Sequence, residues 1–231
     1  MPAAEVPPIG ARLRAARRGR GVSVRGLARE IGVSASLISQ IETEKSSPSV
    51  STLYAITTAL GISIEDLFGD PPPIDDSPPE VDDELDVIAA PSALHRHAGG
   101  MAALLTAPST GQRSRDRRIG PVVRPDEREL LTLDSGVTWE LLGQIPGQHV
   151  DFLLITYQPG GSSSSSGLLM RHTGIEFGYV ISGELTLTLG FETHTLVAGD
   201  AVSFDSSTPH GYRNETGAPA IGVWFVLERA A

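Results

Sequence analysis

Between Val24 and Thr43 the chain reads VRGLAREIGVSASLISQIET. Ser34, Ala35, Ser36, Ser39 and Gln40 fall on the outer face of one short helix. Such short side chains let a helix sit deep in a groove, and a glutamine amide can pair bidentately with an adenine edge. Thr43 and Lys45 follow, where the phosphates of a duplex would lie. Seven arginines and no acid occupy residues 11–29. A minority of them are expected at phosphate, Arg17 and Arg25 foremost, and the others on a solvated face. The competing reading is an ordinary bundle whose serines and glutamine are merely hydrated. A second group of reactive side chains lies towards the C-terminus. His172 and Glu176 stand in an H-x-x-x-E spacing, and His210 comes four residues before Asn214. His95 and His97, an H-x-H with no third ligand on a rigid element nearby, read as solvated; His149 and His194 read as surface or turn residues.

Two kinds of element position these groups. Ile9, Leu13 and Ala16 share one helical face, and Leu27, Ala28 and Ile31 another. Leu37, Ile38 and Ile41 make a third apolar stripe, and Leu53, Ile56 and Leu60 a fourth. Ser23, Ser34 and Ser49 or Ser51 are the start signals, while Gly32 and Gly61 are the breaks. With a last turn at Ser63–Phe68, the head predicts five helices. In the helix-turn-helix arrangement one helix packs across another and keeps its outer face free for the major groove. From about residue 119 the pattern alternates with period two. Runs at Asp151–Tyr157, Phe177–Ile181, Glu184–Leu189, His194–Val197, Ala201–Phe204 and Ile221–Leu227 predict a sandwich or barrel of short strands. GGSSSSSG at 160–167 reads as a flexible loop.

The 231 residues allow one large domain or two small ones, and 40% hydrophobic content is enough for a buried core. There is no cysteine, which excludes disulfides, thiolate metal sites and a cysteine nucleophile. No apolar run reaches the ~18 residues that span a bilayer, and the first residues lack the apolar core of a signal peptide, so a cytoplasmic protein without membrane contact is expected. The net charge of −10 argues against non-specific coating of nucleic acid. Seven acids and no base at residues 71–93 set an acidic, proline-rich stretch after the basic head. The division expected is a helix-turn-helix domain at 9–69, a disordered linker at 70–118 and a β domain at 119–229. The acidic linker would keep the β domain off DNA by repulsion and give the head reach.

Residues 9–68, above all SVRGLAREIGVSASLISQIETEKSSPSVSTLYAITTALGISIEDLF, resemble the lambda-repressor/Cro-type DNA-binding domain of the xenobiotic-response-element regulators. The resemblance implies that Ser34–Ile41 is the recognition helix and that Ser34, Ser36, Ser39 and Gln40 are the contacts to bases or adjacent phosphates.

LMRHTGIEFGYVISGEL and AGDAVSFDSSTPHGYRN resemble the two motifs of the cupin superfamily, which implies a jelly-roll barrel over about residues 120–228 with a pocket at one mouth. The full cupin site has a histidine at the position that Met170 occupies here. The remaining His172, Glu176 and His210 are two imidazoles and a carboxylate, a set that can hold one divalent metal, Fe(II) or Zn(II), with positions open. The alternative is a metal-free pocket in which the three bond one another or a polar ligand. Met170, Tyr179, Phe204, Tyr212 and Trp224 are the expected lining of an effector pocket, with Phe225 beside them; core packing is the competing role for most. Asn214 is expected to support the turn at His210. Together the resemblances imply a non-enzymatic transcriptional regulator, a homodimer on a double-stranded operator, whose cupin domain senses a small molecule. The alternative is an iron-dependent oxygenase resembling hydroxypropylphosphonic acid epoxidase. Arg171 and Arg213, each one residue from an inward position, point outward on this reading and offer a phosphonate no cationic cluster.

Overall fold

Four α-helices open the chain: α1 (Ile9–Gly19), α2 (Val24–Ile31), α3 (Ala35–Glu42) and α4 (Val50–Leu60). The computed structural model describes residues 9–68, 122–144 and 150–227. The expected linker at 70–118, with His95 and His97, and also His149, lie outside the described residues. The predicted fifth helix is a single 3₁₀ turn, Glu65–Leu67. Three residues are too few to close an α-helical repeat, and Leu67 and Phe68 reach the core from the turn alone.

Serine hydroxyls start three of the helices. Ser23 accepts from the Gly26 amide, Ser34 from Leu37, and Ser49, rather than Ser51, from Thr52. Gly32 closes α2 with φ 74°, a left-handed conformation that glycine adopts without a Cβ clash. Leu13, Leu27, Ile38, Ile41, Leu53, Ile56 and Leu60 then meet in one core. Arg17 also belongs to that interior. It is 7% exposed, its Nε and the second amino nitrogen donate to the two Glu42 carboxylate oxygens at 2.5 and 2.8 Å, and the remaining amino nitrogen donates to the Val22 carbonyl. The expectation that Arg17 contacts phosphate is therefore corrected: its fork ties α1 to α3.

Nine strands follow among the described residues: β1 (Leu130–Leu133), β2 (Val137–Gly143), β3 (Val150–Tyr157), β4 (Ile175–Ser182), β5 (Glu184–Leu189), β6 (Glu192–Val197), β7 (Ala201–Asp205), β8 (His210–Arg213) and β9 (Ala220–Leu227). They form a six-stranded sheet in the order β1-β2-β3-β9-β4-β7 and a three-stranded sheet β6-β5-β8, with every named pairing antiparallel. Alternation sets the faces. Along β4, Glu176, Gly178 and Val180 are buried, while Phe177, Tyr179 and Ile181 are exposed. A Cβ at Gly222 would clash with the Trp224 ring, so the indole lies against bare backbone. β1, β2 and β8 are strands that the sequence pattern had not separated.

The helical and β portions belong to one compact unit. α4 makes the junction. The Ser51 amide donates to the Ser163 carbonyl and the Asp134 amide to the Pro48 carbonyl, both at 2.9 Å. Ser163, in the serine run expected to be flexible, also bonds Tyr212 through its amide and its hydroxyl.

The buried Arg17–Glu42 pair carries a stability prediction. Glu42→Ala leaves a guanidinium buried without its carboxylate and is expected to cost about 3–5 kcal/mol, whereas an apolar Arg17→Met/Glu42→Leu pair is expected to come much closer to wild type. Urea unfolding of the helical signal, followed by circular dichroism, measures both.

Candidate functional site

On the helical head, Ser34, Ser36, Ser39, Gln40, Thr43, Lys45 and Arg25 are all exposed, and Ala35 is half-buried. Some of these groups are already committed within the chain. The Ser34 hydroxyl oxygen caps α3, leaving its proton to donate outward, and the Thr43 hydroxyl donates back to the Ser39 carbonyl at 2.8 Å. Ser36, Ser39 and Gln40 present side chains with no intramolecular hydrogen bond among the described residues. Leu37, Ile38 and Ile41 take the opposite face into the core or against it. The arrangement leaves one polar helix face uncovered, and Arg25 and Lys45 are exposed as well.

The β domain brings His172, Glu176 and His210 together, with 6%, 3% and 0% exposure. One ligand atom from each lies within 4.8 Å of the others. Glu176 comes from β4 and His210 from the first position of β8, while His172 sits between a lone bridge at Met170 and the start of β4. Glu176 Oε2 is 3.3 Å from His210 Nε2 and 3.5 Å from His172 Nε2. The other oxygen, Oε1, accepts from the Tyr212 hydroxyl at 2.7 Å, and that hydroxyl accepts from the Trp224 indole at 3.1 Å. Burial alone would push the Glu176 pKa up. When the two imidazoles facing it carry protons and positive charge, they more than reverse this and hold it at about 2. Burial beside this carboxylate pushes the Tyr212 phenol well above its ordinary range, so it stays a donor.

These contacts fit a cation. His210 Nδ1 lies 2.9 Å from the Thr208 carbonyl, which can only accept, so the proton is assigned to Nδ1 and Nε2 is left with a lone pair. That lone pair faces a carboxylate oxygen. Nε2 of His210 and both nitrogens of His172 are buried without a hydrogen-bond partner. Two lone-pair atoms opposed in a buried site repel unless a proton or a metal ion lies between them. Neutral imidazole nitrogens and a carboxylate are donors that Zn(II) and Fe(II) accept, and His210 has the outer carbonyl partner usual for a ligating histidine.

Met170 is 8% exposed and, with Tyr212, Trp224 and Glu176, lines a small cavity. Phe204 packs its ring 5.0 Å from that of His210 without reaching the cavity. Tyr179 is corrected: at 50% exposure it lies on the outer face of β4, because it is an odd number of residues from the inward Glu176. Phe225 is outward because it alternates with the buried Trp224 and Val226 along β9. Arg171 and Arg213 are exposed, as alternation requires. Asn214, fully buried, holds Tyr157 and the turn through Ala218 with its amide, and accepts from Thr216. Among the cavity residues not foreseen are Tyr54 and Val50 from α4, and Trp139 from β2. α4, VSTLYAITTAL, has no charged residue, a signal that it is covered on more than one side.

The Trp224–Tyr212–Glu176 chain predicts the effect of a minimal change. Tyr212→Phe removes the hydroxyl from a buried carboxylate and is expected to cost about 1.5–3 kcal/mol. It should also alter Trp224 emission, so tryptophan fluorescence during urea unfolding reports both.

Two domain families match this chain, the helix-turn-helix family over residues 13–67 and the cupin domain over residues 153–226. The HTH-type transcriptional regulator PuuR of Escherichia coli K12 is 28% identical over 207 residues, covering 89% of this chain and 86% of the relative, and the Shigella flexneri protein of that name matches equally. In fold, the chain resembles the crystal structure of an HTH_3-family transcriptional regulator from Vibrio cholerae, with TM-score 0.58 and 19% identity over 97% of each chain. Among the described residues no helix is long and apolar enough to cross a membrane. The two domain matches and the near full-length relatives together make this chain a helix-turn-helix transcriptional regulator with a C-terminal cupin domain.

Proposed function

We propose that the chain is a cytoplasmic, non-enzymatic regulator that binds operator DNA through α3 as a homodimer, and that a small-molecule effector or a divalent metal in the cupin domain modulates that binding. The observation that carries this reading is the pairing of an uncovered polar helix face with a buried His172–Glu176–His210 cluster in one compact unit. Gln40 and Ser36 are its base-reading residues. Ser34, Ala35, Ser39, Thr43, Lys45 and Arg25 lie against the duplex, with phosphate contacts setting register. Where Zn(II) or Fe(II) is bound, His172, Glu176 and His210 hold it. The ion then supplies a Lewis-acidic anchor for an effector oxygen or nitrogen, and Met170, Tyr212 and Trp224 give the neighbouring space its apolar character. No lysine or arginine lines this cavity among the described residues, which weighs against a phosphonate substrate and an epoxidase.

The homodimer has a surface to match. Phe152, Phe177, Tyr179, Ile181, Phe225 and Leu227 project from neighbouring strands β3, β9 and β4 at 38–50% exposure. Large side chains of about 150–250 Å² each then leave on the order of 500 Å² of apolar surface uncovered, much of the ~800 Å² per partner in a stable interface. Phe225 sits edge-on between Phe152 and Phe177, at centroid distances of 6.3 and 6.4 Å. A second copy meeting this face would set the two heads as a pair, as half-sites about one helical turn apart require.

Selection of bound sequences from a random duplex pool, run with Zn(II), with Fe(II) and with chelator, is the direct test. A pseudo-palindrome should be enriched and should be lost in Gln40→Ala/Ser36→Ala, and its enrichment should differ between metal and chelator. Absence of any enriched sequence would sink the DNA-reading assignment. For the dimer, Phe177→Glu/Phe225→Glu is expected to convert a dimer into a monomer in sedimentation velocity; an unchanged dimer would place the interface elsewhere.

A further inference from the structure

His172 differs from its two neighbours in how it is held. Tyr212 fixes Glu176, and the Thr208 carbonyl fixes His210. Neither nitrogen of His172 has a hydrogen-bond partner among the described residues, although the residue is only 6% exposed. The plane of its imidazole is set by packing, and the packing comes from the other domain. The Tyr54 ring of α4 stacks on it at 4.3 Å with an interplanar angle of 5°. Tyr54 is fixed in turn. Its hydroxyl donates to Asp151 at 3.3 Å, and its ring meets Trp139 edge-on at 5.8 Å. The first turn of α4 is clamped to the β domain by the Ser51–Ser163 backbone bond, and the segment just before the helix by the Pro48–Asp134 bond.

We propose that Tyr54 is a positioning residue for the cation site: the docked helix α4 holds the His172 imidazole in the plane that brings Nε2 to Glu176, so the site is complete only while the DNA-binding head is docked. This rests on the metal reading given above. A ligand that must be ordered at the moment of binding costs affinity, and a ligand already held does not. The coupling is reciprocal. A metal that prefers the docked head stabilises docking by the same factor that docking strengthens the metal, and α4 follows the recognition helix α3 in the chain. Stacking on a flat face leaves both imidazole nitrogens free in the plane, so Tyr54 orients the ring without competing for its lone pair.

The test titrates Zn(II) into the full-length protein by calorimetry and records the visible spectrum of the Co(II)-loaded form. Four variants are compared with wild type: Tyr54→Phe, Tyr54→Leu, Ser51→Pro and His210→Ala. Phenylalanine keeps the stack and should bind Zn(II) within about threefold of wild type. Leucine fills the space without a flat face and should bind about 10–100-fold more weakly, the range for lost outer-shell support, with a changed Co(II) band. Ser51→Pro removes the clamp at a first-turn position where proline is tolerated. It touches neither ring and should weaken binding in the same direction, which covers the case in which Tyr54→Leu unfolds the head. His210→Ala should abolish binding. Wild-type affinity and an unchanged Co(II) band in both Tyr54→Leu and Ser51→Pro would overturn the positioning role and leave the metal reading standing. Wild-type protein that takes up neither Zn(II) nor Co(II) would overturn both.

Discussion

A carboxylate buried in the β domain at 3% exposure is the constraint from which the site follows. Water cannot solvate Glu176, so the protein must, and each of its oxygens has a separate answer. Oε1 takes a hydroxyl proton from Tyr212, which is itself fixed by the Trp224 indole. Oε2 faces two imidazole nitrogens. The first arrangement is a finished hydrogen-bond chain; the second is complete only with positive charge between carboxylate and imidazole. Much of the barrel serves this division. Gly222 and Gly178 leave room for the Trp224 ring, and the lone bridge between Met170 and His210 sets the approach of the His172 segment to β8. Asn214 closes the turn after β8 so that His210 and Tyr212 keep inward parity.

Much of this was written in local pattern. Caps at Ser23 and Ser34, the break at Gly32 and the four apolar stripes are short-range signals, and the helices follow them closely. His172, Glu176 and His210 could be picked out because the two motifs that carry them resemble those of the cupin superfamily, and the fold brings the three side chains together. Tyr179 could have been placed outside by the same parity, since three residues separate it from Glu176 and odd separations change face. Arg17 was misread because a sequence shows the charge but not its partner. Glu42 lies 25 residues away, and only the crossing of α1 and α3 brings the two together. β1 and β2 were hidden because the expected strand runs began only at Asp151, and because Leu130–Leu133 is short.

Tyr54 was missed for a different physical reason. The stripe Leu53, Ile56, Leu60 already satisfied the helical core, so one buried face looked sufficient for α4. Val50 and Tyr54, four residues apart, form a second face that points to the β domain. An eleven-residue helix without a charge is costly to leave half in water. That composition is the sequence trace of a helix that packs twice, and it reads as an ordinary core helix until a second domain is there to meet it.

This double packing bears on how a signal could pass between the domains. A ligand shifts an equilibrium only as far as its affinities for the two states differ. A pocket walled entirely by the β domain would bind equally well with the head docked or released, and would move nothing. Here the wall is shared: Val50 and Tyr54 line the cavity together with Met170, Trp139 and Glu176. Release of the head would expose the His172 face, the Trp139 edge and the Asp151 carboxylate in one event, because Tyr54 touches all three. Any occupant that depends on those surfaces therefore distinguishes the two states. The sign follows from chemistry: an ion held by a preset His172 favours the docked head, whereas a molecule needing the volume of the Tyr54 ring favours release. A single aromatic side chain at the domain junction thus supplies the differential contact that the proposed regulation through this pocket would require.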